Sequence, residues 1–451
     1  DGWPKLEHLD ARVKFHGNRL DIDVEKAAVY DSQVIDTRAR IDSLTPASPL
    51  RVQGKVAGPL SNILRLLQED ALRDDFGDIV APLRAKGNAD LELGFEIPMS
   101  EQDAYKLEGQ LLFGGSELSV PDRSVAMSDI RGTLNFDLDG LSAKGIKARS
   151  LGAPVQVDVS HQDSGGTRVR ARGRLKLEDI RRQVPSIPLQ VISGASDFVI
   201  EMDVPPTSAP KGSRGVLSVN SDLKGIRIAL PAPFGKAADE ARPLAVRLPI
   251  SGQPAPGDLS YADQVNARFS STGDRVDLVL GGGEARLTPA PGIRIGGQLG
   301  KVDLLEWSEA LKPLAIENTG SPGSLNLDLQ IEQLGAERVF IGDLQLRASL
   351  ADGLWQGVVE APNLAGKFVA PQELTQAPVQ VDLQRLSLKL PLGDNDLPMS
   401  PLPNPDSGPD PSTLPGLVLN IADLRVNDAN LGQLRLNAQH APEGLRFTQL
   451  S

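Results

Sequence analysis

The chain has 451 residues, with 47 basic against 59 acidic side chains for a formal charge of -12, and it contains no cysteine. That balance argues against a surface that tracks nucleic-acid phosphates and against electrostatic docking on anionic membranes, and the missing thiols exclude disulfides, thiolate nucleophiles and Cys-ligated metals. Its 44 glycines and 35 prolines exceed their average use of about 7% and about 5%, and aromatics are only 4%, so many short strands joined by turns should share an aliphatic face.

Along the chain, apolar and polar residues alternate at period two, the signature of strands with one oily side. Residues 1 to 58 begin this way: Leu9, Ala11, Val13 and Phe15 alternate with Asp10, Arg12 and Lys14, and Leu50, Val52 and Val56 close the stretch before Gly58. Pro59 then stands at the favoured first helical position. Leu60, Ile63, Leu64, Leu67 and Ala71 recur at three and four, predicting an amphipathic helix over 59–73 that ends near Gly77. Such a helix either caps the apolar face or plugs it, and capping is the commoner use of an apolar stripe.

Strands resume from about 87 to 177. Leu91, Leu93 and Phe95 alternate with Asp90, Glu92, Gly94 and Glu96; Leu134 and Phe136 follow, then Val157 between Val155 and Val159. The run Val169, Ala171, Leu175 carries Arg170, Arg172, Arg174 and Lys176 on its other side, which reads as a solvated outer row that deters edge pairing. A short helical turn is expected over 178–184, ahead of Pro185 and Pro188. Strand grammar continues through Phe198, Ile200 and Met202 and includes Leu278.

A third helix is predicted over 302–314 with Leu305, Trp307 and Leu311. Beyond Gly323 the alternation is cleanest: Leu325, Leu327 and Leu329, then Leu344 and Leu346, then Val381, and then Leu386 and Leu388. Residues 391–415 carry Pro391, Pro398, Pro401, Pro403, Pro405, Pro409, Pro411 and Pro415 and read as an extended loop. Strands restart at Leu417, with Leu419, Ile421 and Leu436 pointing one way.

The fold class expected is therefore mainly β: an antiparallel-rich, twisted and curled sheet with about three short helices, continuous over 1–390 and again over 416–451. On the order of 28 strands at about 4.8 Å each would span roughly 130 Å, and sheets that wide roll rather than stay flat. Rolled with the apolar side inward, the sheet makes an open hydrophobic groove. Its candidate lining is the set of inward residues just named, from Leu91 to Leu436. No run of about 18 apolar residues or signal sequence is present, and the abrupt ends at Asp1 and Ser451 lead us to expect a piece whose anchor lies elsewhere.

Catalytic and metal chemistry find little purchase. His8, His16, His161 and His440 lack ligand spacing, and no Gly-x-Ser-x-Gly elbow or Ser-His-Asp cue occurs. Gly281, Gly282 and Gly283 are followed by neither a lysine nor a helix start and read as a tight turn. Asp394, Asn395 and Asp396 lack the spaced ligands of a calcium loop. Trp307 and Trp355 read as packing residues. No catalytic residue, metal or cofactor is expected.

At Gly225, Ile226, Arg227, Ile228, Ala229, Leu230, Pro231, Ala232, Pro233, Phe234, Gly235 and Lys236 the sequence resembles the YhdP members of the AsmA-like family, bridge-like lipid transport proteins of the Gram-negative envelope. Leu354, Trp355, Gln356 and Gly357 with Pro362, Gly366 and Pro371, the Gly58-Pro59-Leu60 helix start and Trp307 agree with that pattern. The resemblance covers essentially the whole chain as a central slice; the loop at 391–415 has no match. It implies a non-enzymatic conduit in the periplasm that passes phospholipid acyl chains between inner and outer membranes, in a protein anchored in the inner membrane through parts outside this slice. Two rival readings remain: a structural or adhesive all-β envelope protein with a closed core, and a glycan-acting enzyme, against which the scarcity of aromatics counts.

Overall fold

The computed structural model describes residues 5–69, 80–81, 83–99, 105–120, 125–163, 165–183, 190–206, 209–210, 215–250, 255–311, 324–336, 339–373, 377–388, 415–427, 429–441 and 444–451. Most of these lie in strands, and their contacts divide the chain into two units, Asp1–Arg227 with Ala237–Pro254, and Ile228–Lys236 with Ala255–Ser451.

The first unit contains β1 (Glu7–His16), β2 (Arg19–Val29), β3 (Ser32–Ile41), β4 (Leu50–Pro59), α1 (Leu60–Leu66), β5 (Arg84–Lys86), β6 (Asn88–Ile97) and β7 (Lys106–Val120). It continues with β8 (Val125–Asp137), β9 (Leu141–Ser150), β10 (Ala153–His161), β11 (Thr167–Lys176), α2 (Leu177–Gln183), β12 (Ile192–Val204), β13 (Val216–Ser221), β14 (Ile226–Ile228, its last residue assigned to the second unit) and β15 (Leu244–Pro249). Sequence neighbours pair antiparallel, as short turns demand. Departures occur at two places: β4 pairs with β6, leaving β5 on the far half of β7, and β13 pairs with β15, leaving β14 beside β12.

The second unit runs β16 (Gly257–Tyr261), β17 (Val265–Phe269), β18 (Arg275–Leu280), β19 (Gly292–Asp303), α3 (Leu304–Leu311), β20 (Ser324–Ala336) and β21 (Val339–Ala351). It then adds β22 (Leu354–Ala361), β23 (Leu364–Pro371), β24 (Val379–Leu388), β25 (Leu417–Val426), β26 (Ala429–Ala441) and β27 (Gly444–Leu450). Every strand pairs with the next. Three of these pairs, β18 with β19, β19 with β20 and β24 with β25, are parallel, and each follows a long connection that carries the chain back to the starting end. Within each unit the sheet stays open rather than closing as a barrel.

The alternation sets which side each residue takes, and the register holds it there, because a one-residue slip would turn every leucine to water. Curling then buries part of the apolar face against itself. Leu344 is 2% and Ile421 3% exposed, and both belong to one cluster that gathers residues from β19 to β26. In the first unit the corresponding cluster spans β6 to β10 and includes α1.

The helices differ from expectation at their ends. α1 is described only through Leu66 and a closing turn, with residues 70–79 and the end near Gly77 outside the described residues. α2 begins at Leu177, and Pro185 and Pro188 lie outside. α3 starts after Val302, which is the penultimate residue of β19, and it leaves Leu304 and Leu305 largely exposed while Trp307 turns to the core. The loop at 391–414 is also outside the described residues.

Candidate functional site

On the second unit, cross-strand neighbours join the inward side chains into parallel rows. One runs through Leu278, Ile295, Leu327, Ala348, Gly357, Phe368, Val381, Leu419, Leu436 and Leu450, each beside the next on adjacent strands. A second, two residues along each strand, passes through Leu280, Gly297, Leu329, Leu346, Val359, Gly366, Leu383, Ile421 and Leu434. Neighbouring strands lie about 4.8 Å apart, so each row is a nearly unbroken aliphatic track. The second row is the more buried, with Leu329, Leu383 and Ile421 in the core, whereas Leu327, Val381, Leu419 and Leu436 keep part of their surface exposed.

The first unit repeats the pattern. Ala27, Val34, Val56, Leu91, Leu111 and Leu134 form one row from β2 to β8, and Val157, Ala171, Ile200, Val219 and Val246 form another from β10 to β15. Val13 and Phe15 on β1 present the same face to solvent, as do Phe447 and Leu450 on β27 of the second unit.

Two phenylalanines lie over glycines. Gly109 faces Phe136 across β7 and β8, and a Cβ there would fall 2.3 Å from the ring; Gly357 faces Phe368, with 2.5 Å to the ring. In both places the missing side chain lets the aromatic lie down against its neighbour's backbone.

The outer faces are laced with ion pairs. Arg19 pairs with Asp21 within β2 (2.7 Å), and Arg40 with Asp21 (3.8 Å) and Asp42 (2.7 Å) and Arg51 with Asp42 (2.5 Å) and Glu96 (3.5 Å) connect β2, β3, β4 and β6. The Arg19 bond holds the Asp21 carboxyl below its ordinary range. Exposed pairs contribute about 0–1 kcal/mol each, so this lattice specifies register more than it stabilises. The arginine row on β11 belongs to the same lattice. Arg168 grips Asp203 through two bonds of 2.6 and 3.0 Å, Arg170 reaches Glu201 and Arg172 reaches Asp158, both at 2.8 Å. Its solvated position is as expected, but β11 is paired on both sides and is not an edge. The row ties three strands together instead of deterring pairing.

Asp277 points to the outer side of β18 yet is only 1% exposed, because the chain after Gly281 folds back over it. The Arg286 amide donates to its carboxylate and the Arg294 guanidinium lies 3.4 Å away. The three glycines at 281–283 all take positive φ, as a turn this sharp requires.

α1 rests on the apolar face of the first unit. Its Leu60, Ile63, Leu64 and Leu66 are buried, Leu60, Ile63 and Leu66 in the cluster that holds Leu91, and each contributes about 1.5–3 kcal/mol relative to exposure. Polar contacts fix its rim: Leu60 N–H donates to the Gly87 carbonyl (2.9 Å), Asn62 to the Ser32 hydroxyl (3.2 Å), and the Tyr30 hydroxyl to Glu69. The Arg65 guanidinium sits 4.0 Å from the centre of the Tyr30 ring. Burial, and then the Glu69 bond, push the Tyr30 hydroxyl above its ordinary pKa. α3 plays a smaller part in the second unit, where Trp307 meets Phe234 edge-on at 5.8 Å.

Of the lining residues expected from sequence, Leu91, Phe136, Val157, Leu329 and Leu344 are buried in protein. Leu93, Phe95, Leu134, Leu278, Leu325, Leu327, Leu346, Val381, Leu386, Leu388, Leu419 and Leu436 are partly exposed. Ile295 and Phe368 belong to the same track and were missed; Ile293 and Ile295 do alternate, but Gly296 and Gly297 cut the run short. Among the described residues no group of His, Asp and Glu could hold a metal. A cavity of about 510 Å³ opens between β22 and β26, lined by Glu360, Lys367, Asp382, Asn420 and Arg435 among others.

Comparison with known proteins fits this picture. The model of the YhdP family, described as YhdP protein, matches residues 1–451. The intermembrane phospholipid transporter YhdP of Escherichia coli (strain K12) is 21% identical over 333 residues, which are 71% of this chain and 26% of the relative. The chain thus spans about a quarter of the length of that curated protein. No solved structure matches. With its full length covered by the family model, and with the rows of apolar side chains that its strands align, the chain belongs to the YhdP family.

Proposed function

We propose that this chain is a stretch of a non-enzymatic lipid conduit. Phospholipid acyl chains would ride along its apolar rows through the periplasm between inner and outer membranes, supporting the outer-membrane permeability barrier. The observation that carries the reading is the continuous track from Leu278 to Leu450, exposed in part at every position but Ala348 and flanked by a more buried aliphatic row. The name of the Escherichia coli relative supports the choice of cargo.

The energetics suit passage. A sixteen-carbon chain in water costs about 0.8 kcal/mol per methylene, roughly 12 kcal/mol in all, and an aliphatic lining removes most of that. Movement also needs a level path, and leucine, valine, isoleucine and alanine offer no position that holds hydrocarbon much more tightly than the next. The headgroup stays at the open seam, in water. Conduction is passive, with direction set elsewhere in the longer protein, whose inner-membrane anchor is part of the same proposal.

Photo-reactive residues at Leu327 and Val381, compared with the outward Asn326 and Asp382, test this in the purified chain mixed with phospholipid vesicles. Lipid should crosslink to the first pair and not to the second. Equal labelling of both pairs, or none at Leu327 and Val381, would favour the closed structural sheet.

A further inference from the structure

α1 covers the row of Ala27, Val34, Val56, Leu91, Leu111 and Leu134 where it crosses β4 and β6. The cover is local. Leu91 is fully buried beneath it, while Leu93 and Phe95, the next inward residues of the same strand, keep exposed surface. Hydrocarbon lying on Leu93 would therefore abut side chains of α1 occupying the same face.

The helix is poorly equipped to stand alone. It has seven residues, no side-chain N-cap and no acidic residue in its first turn, and isolated helices shorter than about 12–15 residues are marginal in water. It exists because the apolar face holds it. Its other attachments are polar and sit at the rim: Tyr30 to Glu69, Arg65 over the Tyr30 ring, and Asn62 to Ser32. An acyl chain offers the face the same kind of apolar contact as Leu60 and Ile63 do, so the rim contacts decide which of the two occupies it.

We infer that α1 is a displaceable plug, latched by Tyr30, Arg65, Glu69, Asn62 and Ser32, which yields its seat on the apolar face to hydrocarbon. This rests on the conduit reading and adds a gate to it. A displaced α1 unwinds, because two helical turns are marginal in water without the contacts of their seat, and local openings of such small units are ordinary events in folded proteins.

The absence of native cysteine makes the test direct. Ile63→Cys places one thiol under α1, and its rate of maleimide labelling is followed in the full chain with and without phosphatidylethanolamine–phosphatidylglycerol vesicles. A photo-reactive residue at Leu327 reports in parallel on lipid binding by the second unit. Vesicles should speed labelling at least about tenfold, and Tyr30→Phe or Asn62→Ala should raise the lipid-free rate, since opening is the step that exposes the thiol. A lipid-independent rate alongside capture at Leu327 would overturn the plug and leave the conduit standing. Loss of capture at Leu327 would overturn the conduit and the plug with it. Leu67→Cys, at a partly buried position that disturbs packing less, gives the same readout should Ile63→Cys fail to fold.

Discussion

Leu327→Asp offers the sharpest quantitative test of the aliphatic track. Leu327 lies between Ile295 and Ala348 on adjacent strands and is partly exposed, so a carboxylate there keeps its water and the sheet keeps its register. Lost packing should cost the fold about 1–2 kcal/mol, within the ordinary range for a half-buried substitution. The effect on hydrocarbon is larger. A hydrated carboxylate uncovers about four methylenes of a passing chain at ~0.8 kcal/mol each, or about 3 kcal/mol. At 1.4 kcal/mol per factor of ten, local occupancy should fall about two orders of magnitude. Photo-crosslinking of lipid at Ile295, beside it on the adjacent strand, should drop accordingly, while capture at Leu436, several strands away on the same row, should drop less. Capture at Ile295 that is unchanged in folded Leu327→Asp protein would refute the reasoning, because hydrocarbon would then not follow this row.

Other substitutions probe the scaffold. Gly357→Ala drives a methyl into the Phe368 ring and should destabilise the second unit by about 1–3 kcal/mol in denaturant unfolding, with Phe368→Ala restoring part of the loss. Asp277→Ala strips the Arg286 amide and the half-exposed Arg294 of their acceptor and should cost about 1–3 kcal/mol in denaturant unfolding. Asp203 is held below its ordinary carboxylate range chiefly by its hydrogen bonds to Arg168. Its folded pKa lies under its unfolded one, so its contribution is complete above about pH 4 and is lost as pH falls through the lower folded value. Thermal melts of Asp203→Asn between about pH 2 and 6 should therefore show a shallower acid limb than the unmutated chain.

Period-two alternation made the strands and their faces legible, because in a sheet with one apolar side the pattern is the structure: Leu325 to Ile331 and Val379 to Leu383 fall where the alternation puts them. Strand direction was not legible. The parallel pairing of β19 with β20 depends on a connection returning across the sheet, and nothing in the side-chain pattern of 292–303 distinguishes that from a hairpin. Asp277 reads as an outward polar residue in Arg-Val-Asp-Leu-Val, and only the fold-back of the chain after Gly281 buries it. Leu91 and Leu93 look equivalent in sequence, yet α1 covers one and stops short of the other. Each of these failures is tertiary. Local chemistry chose the element, and a segment outside that element chose its surroundings.

The paired phenylalanines and glycines have a consequence for anything that slides. An upright ring is the tallest obstacle an aliphatic floor can carry, and a hydrocarbon crossing it would be caught first behind it and then on top of it. With Phe368 laid over Gly357, bulk is traded for bare backbone and the proposed path would lose its highest ridge. Corrugation on the scale of a methylene would thereby be smoothed at the one aromatic position of the second unit's exposed row.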